Sequence, residues 1–205
     1  MSTVVYIDGQ NFLYKVAEIL LAANLISDKQ DLTSIDINLL ISTFIKNDGL
    51  EIRYYGVKHI YRNDNYGEEI LEKSIRFSDS LRRFKNYLAK NNIKYIPKGS
   101  LKVRITDECK NCGYIDYKFQ EKGVDVGLAV DLVRDALEHN VDHIILLSSD
   151  TDLLPALQIV KEKNIKLSYI AFKKQVTVSL AKIADQVFYL ENQQVINAYL
   201  KSLNR

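Results

Sequence analysis

Short β-branched runs alternate with segments of helical periodicity along almost the whole chain. VVYI at 4–7, EIRYYGVKHIY at 51–61, HIILLS at 143–148 and KLSYIAF at 166–172 read as strands, with shorter ones at 94–96 and 186–190. Helical spacing is seen over 11–23, 37–46, 68–91, 125–139, 151–163, 177–184 and 192–203. Segments 101–106 and 114–119 are expected to pair as a hairpin inserted over about 98–120. Such alternation specifies an α/β fold, a mainly parallel central sheet with helices on both faces. The 205 residues, 47% apolar and 26% charged, suit one domain spanning 1–205. In sheets of this kind ligands bind outside the carboxyl ends of the strands. The residues that directly follow each strand therefore matter most.

Those positions are acidic. Asp8 follows the first strand in VVYIDGQNF, and Asp150 and Asp152 follow HIILLS in LLSSDTD. Asp125 opens a helix after the EKGV loop. With parallel strands, three distant segments deliver four carboxylates to one crevice. Close carboxylates resist ionising together, and oxygen donors of this type suit Mg²⁺ or Mn²⁺. Such a site activates water for attack at phosphorus. For any one of these residues alone, an N-cap or turn role is the simpler reading; their joint placement favours the site.

The ordered set YIDGQNF, EKGVDVGLAVD and ILLSSDTDLLPAL, followed by LAKIADQVFYL, resembles the NYN domain family of PIN-like nucleases, its LabA-like branch in particular. The resemblance covers residues 3–190. It implies a Rossmann-like PIN-type fold, a divalent metal, Mg²⁺ or Mn²⁺, and ribonuclease chemistry. By motif position it makes Asp8, Asp125 and Asp150 the metal-site residues and Asp152 the second acid of SSDTD. Asn11 would orient substrate or a water, and Ser149 would bond a phosphate. Asp131 lies six residues after Asp125, roughly 240° round a helix, so both cannot face one ion. It either supports the site from behind or serves the core. The family also has members of uncertain nuclease activity.

Residues 80–106 hold eight basic side chains, Arg82, Lys98, Lys102 and Arg104 among them, and no acid, in a chain whose net charge is only +2. Phe84, Tyr87 and Tyr95 are interleaved. Basic groups beside stackable rings suit single-stranded RNA; a solvated helix face with its aromatics in the core is the alternative. On the helix over 125–139, Val126, Ala129, Val130, Val133 and Leu137 form the expected core stripe.

Other signals are weaker. Cys109 and Cys112 make half a zinc site. They could be an eroded knuckle, a free thiol pair, or half of a site completed in a homodimer. His139 and His143 do not form HExxH, and no phosphate-binding glycine motif is present. No signal peptide or apolar run of about 18 residues occurs, so a cytoplasmic protein with no membrane partner is expected. Three functions compete: a metal-dependent endoribonuclease, a non-catalytic RNA-binding or regulatory module keeping the fold, and a phosphohydrolase with an Asp nucleophile. The last fits poorly, because a DxD would be wanted after the first strand and DGQ stands there.

Overall fold

A computed structural model describes residues 2–29, 32, 34–46, 49–58, 68–105, 111–112 and 117–204. Residues 1, 30–31, 33, 47–48, 59–67, 106–110, 113–116 and 205 lie outside it. With them fall the ends of the expected second strand and of both hairpin strands, the 63–67 loop and Cys109.

The elements run β1 (Thr3–Asp8), α1 (Gly9–Ala22), α2 (Ile37–Ser42), β2 (Leu50–Val57), α3 (Glu68–Lys90), β3 (Ile93–Lys98), β4 (Ser100–Ile105) and β5 (Tyr117–Lys122). They continue α4 (Val124–Leu137), β6 (His143–Leu147), α5 (Leu154–Glu162), β7 (Lys166–Phe172), α6 (Val178–Ile183), β8 (Gln186–Leu190) and α7 (Asn192–Leu203). Six strands form one sheet in the order β3-β2-β1-β6-β7-β8, every neighbouring pair parallel. β4 and β5 pair separately as an antiparallel hairpin. No helix among the described residues is long and apolar enough to cross a membrane.

The pleat sorts the core. Val5 and Ile7 point to the face covered by α1, α2 and α7, against Phe12, Val16, Leu40 and Val195. Val4 and Tyr6 point to the other face, against Leu128 and Leu132 of α4 and Leu157 and Val160 of α5. Chain order reverses between β1 and β6, the point where open α/β sheets form their crevice. There Ile7 pairs with Leu147. The next residue on each strand is Asp8 or Ser148, so both emerge side by side.

Four local expectations need correction. Pro97 lies inside β3 and does not end it; β3 is the sheet's outer strand, where a missing N–H is tolerated. α2 stops at Ser42, short of the expected 46. Thr151–Leu153 is a single 3₁₀ turn, with α5 proper starting at Leu154. The largest difference is on α4. Val126, Val130 and Leu137 are exposed (68%, 56% and 53%), and the inward face is Val124, Leu128, Asp131, Leu132, Asp135 and Ala136. Two acids can face inward because the sheet meets them with basic groups and phenols. Asp131 accepts from Lys98 Nζ (3.0 Å) and Tyr55 Oη (3.2 Å) and pairs with Arg134 (3.0 Å). Asp135 accepts from Tyr6 Oη and pairs with Arg53.

Candidate metal and phosphodiester site

Asp8 ends β1 and caps α1, its Oδ1 accepting the Asn11 N–H at 3.2 Å. Gly9 must follow it. A Cβ there would stand 2.2 Å from the Tyr55 carbonyl oxygen and 2.3 Å from the Tyr54 ring. The Tyr54 hydroxyl also donates to the Gly9 carbonyl at 2.8 Å. The β2 tyrosines thus hold the corner that aims Asp8 and Asn11 at the crevice.

Ser148 ties that corner to the next strand. Its hydroxyl donates to Asp8 Oδ2 (2.8 Å) and accepts the Asp150 N–H (3.0 Å). Asn11 and Ser149 clasp each other: Nδ2 reaches the hydroxyl at 2.8 Å, and the Ser149 N–H donates to Oδ1 at 3.2 Å. Thr177, after β7, donates to the Ser149 carbonyl at 3.0 Å. Asp150 caps the 3₁₀ turn by accepting the Asp152 N–H at 2.9 Å. Asp125 is not a cap. Gly123, in the left-handed region at φ 86°, occupies that place. The Asp125 carboxylate is therefore free to face the crevice.

Asp8, Asn11, Asp125, Ser149 and Asp150 line one crevice of about 470 Å³. Its far wall is α1, through Gln10, Tyr14 and Lys15, with Gln175 from the turn after β7. The other expected site residues stand outside this lining. Asp152 borders an adjoining groove between α4 and α5 that shares Asp125. Lys98 is committed to Asp131, and Arg82 pairs with Asp79 at 3.2 Å. Lys102 and Arg104 are exposed on the outer side of β4. Phe84 is buried, and Tyr95 packs on Tyr54 with its hydroxyl donating to the Val57 carbonyl, so these two rings of the basic stretch serve the interior.

Two residues that the sequence motifs did not single out belong to the site. Ser148 is the last letter of HIILLS and is buried. Glu121 leads EKGVD. β5 runs on to Lys122, which puts Glu121 opposite buried Leu101 on the inner side of the hairpin.

The electrostatics separate this cluster from the other buried acids. Burial pushes the Asp8 carboxyl up to about 6; hydrogen bonds from Ser148 and the Asn11 N–H oppose the rise, and Asp125 and Asp150 add to it. Burial, then Asp125 and Asp8, pushes Glu121 up to about 7. Asp125 is raised by burial and then by Asp150 and Asp152. Asp131 and Asp135 each have a basic partner, whereas Asp8, Glu121, Asp125, Asp150 and Asp152 have no ion pair among the described residues.

These residues fit a divalent cation in donor chemistry: hard oxygens and mutual repulsion, with no ion pair among the described residues to relieve it, although Lys15 stands on the opposite wall. Among the described residues no three His, Cys, Asp or Glu side chains make a ready cage. Cys112 is an exposed free thiol.

Over 92% of both chains the fold is similar to the crystal structure of a Vibrio parahaemolyticus protein of unknown function, at a TM-score of 0.59 and 17% identity. A curated relative, the 6-hydroxy-3-succinoylpyridine 3-monooxygenase HspA of Pseudomonas putida, is 27% identical over 181 residues, covering 78% of this chain. The chain spans about half the length of that relative, 56% of it. The model of the NYN domain matches residues 2–191, which include β1, α4 and β6 with all their crevice acids. The chain belongs to the NYN domain family.

Proposed function

We propose that the crevice is a divalent-cation-dependent ribonuclease centre that hydrolyses phosphodiester bonds of single-stranded RNA. The observation that carries this reading is the cluster of acids at the β1/β6 switch point that make no ion pair among the described residues. Asp8, Asp125 and Asp150 would hold Mg²⁺ or Mn²⁺, whose chemistry when bound is to neutralise phosphate charge and activate water. Ser148 fixes Asp8 relative to Asp150, and the Asn11–Ser149 clasp presents an amide and a hydroxyl to a phosphate oxygen or a water. Glu121, titrating near neutrality beside Asp8 and Asp125, is suited to hold a proton there. In hydrolysis the water oxygen bonds to phosphorus, the bond to the leaving ribose oxygen breaks, and that oxygen takes a proton. Lys102 and Arg104, with no acid partner among the described residues, would attract the strand beyond the crevice, whereas the charges of Lys98 and Arg82 are met by Asp131 and Asp79.

One observation favours a rival. With no ready three-acid cage among the described residues, an RNA-binding module without turnover is the second reading. Incubating labelled single-stranded RNA with the protein in Mg²⁺ or Mn²⁺ separates the two. The nuclease reading expects cleavage that stops with chelator and with Asp8→Asn. RNA binding without cleavage favours the module, and equal cleavage by wild type and Asp8→Asn rules out this centre.

A further inference from the structure

We infer that the α1 wall of the acidic crevice is a subsite for one unpaired nucleotide, with Tyr14 stacking on its base and Lys15 facing its phosphate. The inference rests on the RNA reading above and names the part of the substrate that reading leaves open.

Gln10, Asn11, Tyr14 and Lys15 are spaced at i, i+1, i+4 and i+5, and so share one side of α1. All four line the crevice that holds Asp8, Asp125 and Asp150. The opposite side of the helix, Phe12, Val16 and Leu20, is fully buried. Tyr14 is a large ring left 52% exposed where packing does not need it. The Lys29 ammonium lies over one face of the ring, 3.5 Å from its centroid. A ring with a cation over one face can offer the other to a base.

Lys15 is placed as a phosphate contact. Its ammonium donates to Gln175 Oε1 and lies 5.9 Å from the Phe172 ring centroid; Glu18 lines the same wall, and Lys15 makes no ion pair among the described residues. Gln175 donates in turn to Glu18 at 3.2 Å, which sets the orientation of its amide. The side-chain amides of Gln10 and Gln175 can meet the donors and acceptors of a base edge. A volume of about 470 Å³ falls within the roughly 300–1,000 Å³ of small-ligand pockets. A base stacked inside a duplex cannot present its face to Tyr14, so the subsite selects unpaired strands.

The test uses the full chain, Ca²⁺ to suppress turnover, and anisotropy of a fluorescein-labelled single-stranded RNA octamer. Tyr14→Ala is expected to weaken binding about tenfold, and Tyr14→Phe to recover most of the loss. Lys15→Gln should reduce the slope of log affinity against log salt by about 0.7. Tyr189→Ala, which removes a comparably exposed ring from β8, should match wild type. The subsite is overturned if wild type binds no RNA, if Tyr14→Ala binds as wild type does, if phenylalanine fails to rescue, or if a duplex binds equally well. Tyr14-dependent binding without cleavage in Mg²⁺ or Mn²⁺ supports the subsite and removes the nuclease reading. Cleavage with normal binding by Tyr14→Ala removes the subsite alone.

Discussion

The Ser148 hydroxyl donates to Asp8 Oδ2 at 2.8 Å. Ser148 Oγ also accepts the Asp150 N–H at 3.0 Å, so one hydroxyl sets the spacing of two acids that leave different strands. It also stabilises the charged form of Asp8, opposing the rise that burial causes. Ser148→Ala should therefore lift Asp8 above its present value of about 6. A hydrogen bond to a charged group is worth about 1.5–3 kcal/mol, or roughly one to two pH units. In chelator, the Asp8 carboxyl titration followed by NMR should move to higher pH by about that much. An unmoved titration would show that the Ser148 bond does not stabilise the charged form.

The raised crevice acids imply a specific pH dependence of stability. A carboxyl whose folded value lies above its unfolded one binds more protons when folded, so it removes stability as pH rises between the two. For Asp8 that window runs from 3.8 to about 6, and for Glu121 from 4.5 to about 7. In chelator, Asp8→Asn should melt above wild type, by about 2–4 °C for each kcal/mol gained. The gap should be larger at pH 7.5 than at pH 4.5. Thermal melts at the two values check this, and a constant gap would contradict it.

Gly9 is required by the approach of β2. Gly9→Ala forces a Cβ into the Tyr55 carbonyl and the Tyr54 ring, neither of which is a flexible chain end. A loss of about 1–3 kcal/mol is expected in urea unfolding. Gly127→Ala should also cost stability, because its Cβ would stand 2.7 Å from Lys98 Cβ and Cγ, the near end of a side chain held by its ion pair to Asp131.

Asp131 is a structural acid in this fold. It is buried and shared by Lys98, Arg134 and Tyr55. Asp131→Asn should lower stability by about 1–3 kcal/mol, toward the smaller end because both basic partners reach solvent. Its affinity for a divalent cation should match that of wild type. Loss of cation binding with unchanged stability would reverse the assignment.

Much of this arrangement is legible in the sequence, for identifiable reasons. VVYI and HIILL are buried on both faces, so they read as unbroken apolar runs, and the acids after them fall at one edge once the strands are parallel. The α4 stripe misleads because the helix carries two apolar stripes. The inward one includes Asp131 and Asp135, whose burial depends on Arg53, Lys98 and two tyrosines far away in sequence. The acid-free basic stretch misleads similarly, since Glu51, Asp79 and Asp131, outside the stretch, pair with Lys94, Arg82 and Lys98. Glu121 depends on where β5 ends, and strand ends are the least determined feature of any sequence pattern. Ser148 looks like one more strand residue until the register puts it beside Asp8.

The central proposal is that the crevice acids, which make no ion pair among the described residues, hold a divalent cation. Titrating Mn²⁺ into wild type, Asp8→Asn and Asp131→Asn, with free Mn²⁺ followed by electron paramagnetic resonance, tests it most directly. A site present in wild type and Asp131→Asn and lost in Asp8→Asn is the predicted result. Equal Mn²⁺ binding by wild type and Asp8→Asn, or none by either, would contradict it.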